Sequence, residues 1–317
     1  MALRLVLVLL LVLVLEVTGK SENENEDENE DEDEDEPFPR LHPLSIKLAP
    51  SGCGRETLPS AFSTPIGAAL FQMSLQPSEI NRDEVKRLAA EFESVPLAGV
   101  LRWLWERFGA RAAIGTSFQG AGLVMIDHAL KAGLRFPVFT LDTNLLFPET
   151  YELKARLEKH WGIDIEGLQP ELNLEQQAAD YGAELWKKAP DVCCTLRKVV
   201  PLQKKLSQLG VWITGLRRQQ SDTREATQIL ELYHFDVLRD LYILKANPMA
   251  PWARETVWEY IRANGIPYNP LHDRGYHSIG CWPCTRATDL GENERAGRWT
   301  GFDKAECGIH TFLGDSI

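Results

Sequence analysis

AAIGTSFQGAGLVMIDHALKAG (112–133) opens with a short apolar run, breaks at Gly115-Thr116-Ser117 and continues as an apolar helical pattern. The same unit recurs downstream. PVFTLD (137–142) leads into PETYELKARLEKHWG (148–162), IDIEGL (163–168) leads into NLEQQAADYGAEL (173–185), and VWITG (211–215) follows a helix ending at Leu209-Gly210. Strand and helix alternating at this spacing predict an α/β fold, a parallel sheet with helices on both faces. Such sheets bind ligands beyond the carboxyl ends of their strands. Those ends are Thr116-Ser117-Phe118-Gln119-Gly120, Leu141-Asp142-Thr143-Asn144 and Thr214-Gly215-Leu216-Arg217-Arg218, all polar or glycine-containing, as a shared nucleotide pocket requires. After about residue 245 the alternation gives way to a helical stretch, ARETVWEYIRANG (253–265), and to loops around Pro267, Pro270 and Pro283.

Outward toward the amino end, the first globular pattern is EINRDEVKRLAAEFES (79–94), for which Ser78 is the expected N-cap. Residues 37–72 are rich in Pro, Ser and Gly without a period, and SENENEDENEDEDEDE (21–36) carries one sign of charge and no apolar residue. That acidic run cannot bury enough surface to offset chain entropy and is expected to be disordered. LVLVLLLVLVL (5–15), after Arg4, has the charge and length of a secretory signal and is short for a membrane span. The expected division is a leader over 1–72, an α/β domain over 73–290 and a tail over 291–317. Met73 is an alternative start, and a chain beginning there is expected to fold and work.

The 46 acidic and 34 basic residues give a formal net charge of −12, but thirteen of the acids fall within residues 1–36 against two bases. The remaining 32 bases and 33 acids nearly balance. No general basic field exists to hold nucleic acid, so an anionic ligand must be bound by a local cluster of cations.

Cysteine placement is the sharpest chemical signal. Cys193 and Cys194 are adjacent, Cys281 and Cys284 form a CxxC, and 86 residues separate the two pairs. A domain of this size has no need of disulfide staples, and four such thiols match a metal site. Adjacent thiolates diverge and reach separate irons more naturally than one zinc ion, which favours a [4Fe–4S] cube over zinc; disulfides and inert thiols are the other readings. Lys198 lies one turn beyond Cys194 on the same helical face, and Asp191 can cap the helix that starts there. Cys53 falls in the unpatterned leader. Cys307, in Glu306-Cys307-Gly308-Ile309-His310, sits in a polar tail where a packing role is a poor fit. It is a candidate nucleophile, with His310, Arg295 or Arg298 available to depress its pKa.

Taken together, TSFQGAGLVMIDHA (116–129), LDTNLLFPETY (141–151), CCTLRK (193–198), ITGLRRQQSDTR (213–224), GCWPCTRA (280–287), ERAGRW (294–299) and ECGIH (306–310) resemble the assimilatory sulfonucleotide reductases. The likeness is to the iron–sulfur type that reduces adenylyl sulfate (APS), and it covers about residues 80–310. It implies an adenine nucleotide alpha hydrolase-like (PP-loop-like) domain with a flexible, catalytic C-terminal tail. It also implies a [4Fe–4S] cluster on Cys193, Cys194, Cys281 and Cys284, with Lys198 between cluster and sulfate. Arg224, Arg295 and Arg298 would contact the phosphosulfate, while Ser117, Phe118, Gln119, Gly120, Asp142, Thr143, Gly215 and Arg217 would line the nucleotide site. Cys307 would be the nucleophile, with His310 beside it. Two positions depart from the pattern: Gln119 stands where Ser or Gly is usual, and Leu216 where Gln is common.

The implied reaction has Cys307 attack the sulfur of APS to give an S-sulfocysteine and AMP, after which a thioredoxin- or glutaredoxin-like dithiol releases sulfite. No dithiol domain follows Cys307 in this chain, so the reductant is expected from outside. Rival readings are a phosphoadenylyl sulfate (PAPS) reductase, an ATP-consuming PP-loop thiolating enzyme, and a zinc-bound scaffold. A cluster and a free thiol place the protein in a reducing cytoplasm, with an organelle as the alternative. Neither a membrane nor a nucleic-acid partner is expected, and a homo-oligomer stays open.

Overall fold

Among the described residues of the computed structural model, the first helix, α1 (Arg82–Phe92), starts at Asn81 and not at Ser78: Asn81 Oδ1 accepts from Glu84 N at 2.7 Å, and Asp83 and Glu84 favour its positive end. The structure describes residues 81–289 and 291–310, so Ser78, Met73, the acidic run and the apolar leader lie outside it. No helix among the described residues is long and apolar enough to cross a membrane.

After α2 (Leu97–Phe108), the pattern that opened the sequence analysis folds as expected. Strand β1 (Ala112–Gly115) leads to α3 (Gly120–Lys131), β2 (Val138–Leu141) to α4 (Pro148–Trp161), and β3 (Ile165–Leu168) to α5 (Leu174–Tyr181). Short helices α6 (Leu185–Lys188) and α7 (Pro190–Cys194) precede a wide π turn, Thr195–Val199, which runs into α8 (Val200–Leu206) and β4 (Val211–Thr214). The sheet order is β3-β2-β1-β4-β6-β5, parallel except at its edge. That edge is a hairpin of β5 (Leu230–Asp236) and β6 (Leu241–Ala246), which the sequence reading left unassigned. LELYHFD breaks the strand–helix alternation, because β6 returns beside β4 only after an antiparallel excursion through β5. Helix α9 (Arg254–Ala263) completes the fold.

Side chains leave a strand on alternate faces, so each strand feeds two cores. Ala112 and Ile114 join the larger, with Leu101 and Leu104 of α2, Leu123 of α3, Leu153 and Leu157 of α4 and Ile261 of α9. Ala113, Phe139, Trp212, Phe235 and Ile243 join the smaller, covered by Leu202 and Leu206 of α8. Each fully buried Leu contributes roughly 1.5–3 kcal/mol. Ile309 of the tail packs on this second core. The described part of the tail, expected to be flexible, is therefore seated against the sheet at Ile309.

The loops after β1 and β4 meet directly. A Cβ on Gly215 would stand 3.0 Å from Gly122 N, a backbone atom, so the strand end can lie against the start of α3 only without a side chain.

The loop leading to the CxxC contains a pH-sensitive residue. Burial pushes His272 down to about 4; its Nδ1 lies 2.8 Å from Tyr276 O and its ring meets Trp258 edge-on. The folded protein keeps this ring neutral where an unfolded chain protonates it near 6.5. The stabilisation is whole above pH 6.5 and is lost as pH falls toward 4, by about 3 kcal/mol in total. Urea unfolding at neutral and mildly acidic pH should show this loss in the wild type and a smaller one in His272→Asn. Equal losses would exclude His272 as the cause.

Candidate active site

Strand ends β1, β2 and β4 border a cavity of about 190 Å³ that also meets the π turn and the C-terminal tail. Thr116, Ser117, Phe118 and Gln119 line one side; Phe118 adopts φ 57° and its N–H donates to Thr116 Oγ1 at 3.0 Å, turning the chain sharply into α3. Gln119 gives no side-chain cap to α3. Instead Gln119 Nε2 donates to Ile279 O and its Oε1 accepts from Ile279 N, at 3.4 and 3.3 Å. The unusual residue in the loop thus ties the first strand end to the segment entering the CxxC. Leu216, the second departure, is a buried part of the pocket wall.

Thr143 lines the pocket and its Oγ1 lies 3.3 Å from Cys281 Sγ. Trp282 N donates to Leu145 O at 2.8 Å, so the CxxC loop is pinned to the loop after β2. Asp142 faces elsewhere, accepting from Tyr151 Oη, Asn144 N and Gln169 Nε2. It shapes the loop and does not line the cavity. Gly120 packs under Val257 and Ile261, and Arg217 is buried against Glu294 at 2.9 Å; neither lines the cavity, contrary to the nucleotide-site expectation. A guanidinium three per cent exposed keeps its partner, because leaving it unpaired there would be costly.

Cys193, Cys194 and Cys281 are buried and Cys284 is partly so; all four thiols are free of disulfides. Burial, then repulsion from Cys194, Cys281 and Cys284, pushes Cys193 up to about 12. Burial, Cys281 and Cys194 bring Cys284 to about 11, and burial, Cys307 and Cys281 raise Cys194. The two pairs distant in sequence are thus neighbours. Asp191 does not cap the helix: Ala189 stands at the N-cap position, which has no side-chain cap, and Asp191 sits in the first turn, ion-paired with Lys304.

The π turn places Arg197 and Lys198 inward. Such wide turns recur at functional sites because they redirect side chains within a helix. Arg197 was not singled out from sequence. It is one per cent exposed, donates Nη1 to Thr143 O at 2.9 Å, and has no partner for Nε or Nη2 among the described residues. Trp299, the last residue of ERAGRW, was also missed; it is buried with Arg298 4.5 Å and Lys198 5.8 Å from its ring centre. Only its aromatic character in an arginine motif could have flagged it.

Burial alone would lower Lys198, but its attraction to Cys281, Cys194 and Cys307 holds it well above its ordinary value. Burial would likewise raise Cys307, yet Lys198, the Ile309 N–H and Arg298 bring it below its ordinary value. His310 lines the same cavity but does not perform that task. It stacks on Trp212 with centroids 5.1 Å apart, and burial followed by Lys245, Arg224 and Arg295 keeps it neutral. Arg224, Arg295 and Arg298 all line the cavity.

A parallel sheet whose strand ends surround a cation-flanked thiol defines a nucleotide-site α/β protein equipped to engage an anionic group through cysteine. The phosphoadenosine phosphosulfate reductase domain matches residues 111–287, and the chain belongs to that family. An adenosine 5'-phosphosulfate reductase of Halalkalibacterium halodurans is 41% identical over 236 residues, covering 74% of this chain and 99% of its own length. Its counterpart in Salinibacter ruber is 44% identical over 225 residues, 71% of this chain and 87% of that one. A crystal structure of phosphoadenylyl-sulfate reductase from Candida auris, in a phosphate complex, superposes with TM-score 0.58 at 28% identity, covering 67% of this chain and 100% of that chain.

Proposed function

We propose that this protein reduces APS to sulfite and AMP. One observation carries the reading: Cys307 lines the cavity at the strand ends beside Lys198 and Arg298, cations with no carboxylate partner among the described residues. Sulfate in a phosphosulfate anhydride is itself anionic and repels a thiolate until its oxygens are neutralised. Lys198 and Arg298 supply that charge, and the same two groups draw Cys307 below its ordinary value, toward the thiolate. Cys307 Sγ then bonds to the sulfate sulfur as the bond from sulfur to the bridging oxygen breaks, and AMP leaves with the electron pair. The product is an S-sulfocysteine. A thioredoxin- or glutaredoxin-like dithiol attacks Cys307 Sγ, sulfite departs with the bonding pair, and the second thiol closes the carrier's disulfide. His310, being neutral, packs the floor of the site.

Cys193, Cys194, Cys281 and Cys284 would hold a [4Fe–4S] cluster. Their mutual crowding, their freedom from disulfides and the unpartnered donors of Arg197 and Trp299 Nε1 fit a sulfur-rich anionic group. No three His, Cys, Asp or Glu among the described residues gather closely enough for one metal ion; a cube instead spreads its thiolates over four irons. When bound it would organise the cysteine loops and the charge around Lys198. Cluster and thiol together suit a reducing compartment such as the cytoplasm.

Anaerobic purification with iron and sulfide analysis, then incubation with radiosulfur-labelled APS without reductant, tests the reading. Iron, labile sulfide and label on the Cys307 peptide are expected. Cys194→Ser should lose iron and turnover together; retention of both would remove Cys194 from the cluster. Comparing turnover of APS and PAPS separates the two substrates, and a preference for PAPS would reverse the assignment.

A further inference from the structure

Two of the three arginines expected on the substrate are already engaged. Arg224 donates Nε and Nη2 to Glu306 Oε1 and Oε2, each at 2.8 Å, and Nη1 to Gln220 Oε1 at 2.6 Å. Arg295 Nη2 donates to Glu306 Oε2 and to Ala305 O, and Thr223 Oγ1 donates to Glu306 Oε1. The Glu306 carboxylate is nine per cent exposed and takes four donors. An anion so held is the partner that two buried guanidinium groups need, since burial and Arg224 together already draw Arg295 down to about 10. These donors cannot serve Glu306 and a phosphosulfate at once. By contrast, among the described residues the Arg298 guanidinium has a single hydrogen bond, 3.4 Å to Ser278 Oγ.

Glu306 is also the residue before the nucleophile. Beyond Cys307 the tail has a second, independent hold: Ile309 packs on the smaller core and Ile309 O accepts from Tyr233 Oη at 3.0 Å. Between the two holds lies Gly308 at φ 82°, a conformation suited to glycine. Releasing Glu306 therefore frees Cys307 on one side while Ile309 keeps it over the pocket.

We infer that Glu306 is a positioning residue: its carboxylate occupies the Arg224–Arg295–Thr223 cradle and seats Cys307 until the anionic group of the sulfonucleotide exchanges with it. The inference rests on the APS reading only for the identity of the exchanging anion. Glu306 is thus a built-in competitor of the substrate. It weakens apparent substrate affinity by the fraction of molecules in which the cradle is filled.

The test uses the holoenzyme. Cys307 alkylation by iodoacetamide, followed on the C-terminal peptide by mass spectrometry above the thiol's titration, should be about tenfold faster in Glu306→Gln than in the wild type. Inorganic sulfate at constant ionic strength should accelerate the wild type and leave Glu306→Gln unchanged, a measurement on the wild type that stands even if the variant folds poorly. On a Cys307→Ser background, Glu306→Gln should tighten APS binding by about tenfold, which structural damage does not do. Equal alkylation rates, insensitivity of the wild type to sulfate, or APS affinity unchanged or weakened would overturn the inference. If APS does not bind at all, the substrate reading fails while the alkylation arms still decide the role of Glu306.

Discussion

Cys307→Ser should abolish sulfite formation from APS, with a loss of at least about 10⁴-fold, as removal of a covalent nucleophile typically gives. Two effects act together. A serine hydroxyl is far less acidic than the Cys307 thiol, which Lys198 and Arg298 draw below its ordinary value, and His310, kept neutral by burial and stacked on Trp212, is a weak base for it. Any sulfate ester formed would also lack the S–S bond that a dithiol cleaves. The variant should keep its iron, because Cys307 is not among the four grouped cysteines, and should still bind APS. Sulfite assay and the mass of the C-terminal peptide check this. Residual turnover near wild type, or a sulfonate adduct on another residue of the wild-type enzyme, would dismiss Cys307 as nucleophile.

Gly280→Ala should lower kcat/KM for APS by about 10²-fold while leaving the fold nearly as stable, the scale expected when one preorganised charge leaves a reaction centre. A Cβ at this position would lie 2.1 Å from Arg298 Nη2 and 2.4 Å from Cζ. Because Arg298 is held mainly by stacking on Trp299 and one long hydrogen bond, it is the group that moves. Its departure removes a cation from the sulfate and from Cys307. The acid limb of the pH–rate profile should therefore shift to higher pH, since a thiol with one fewer cation ionises later. Arg298→Ala should reproduce both effects, and the double variant should be no worse than Arg298→Ala alone. Additive losses would show that Gly280 acts by another route.

Much of the candidate site was legible in the chain. Lys198, Cys281, Cys307, Arg295 and Arg298, singled out by residue type and position, and Arg224, implied by the family resemblance, line one cavity, and Cys193, Cys194 and Cys284 are electrostatic neighbours of that group. Lining residues were harder to read. Gly120, Asp142 and Arg217 sit in the right loops yet face α9, Tyr151 and Glu294, because adjacent loop residues point in different directions that depend on remote partners. Arg197 and Trp299 escaped notice for the converse reason: each is an ordinary residue until burial leaves it beside the cysteines.

By itself the sequence determined the βα alternation from Ala112 to Gly215, the polar strand ends, and a stock of thiols and cations suited to anion chemistry. Those properties depend on side-chain period and on groups close along the chain. Tertiary structure alone decided the antiparallel edge, the Gln119 bridge to Ile279, the neutral stacking of His310, the contact of Arg298 with Gly280 and the capture of Glu306 by Arg224. Each of these joins residues brought together only by chain closure and burial, where the strength of a charge or hydrogen bond is set by neighbours that no local pattern names.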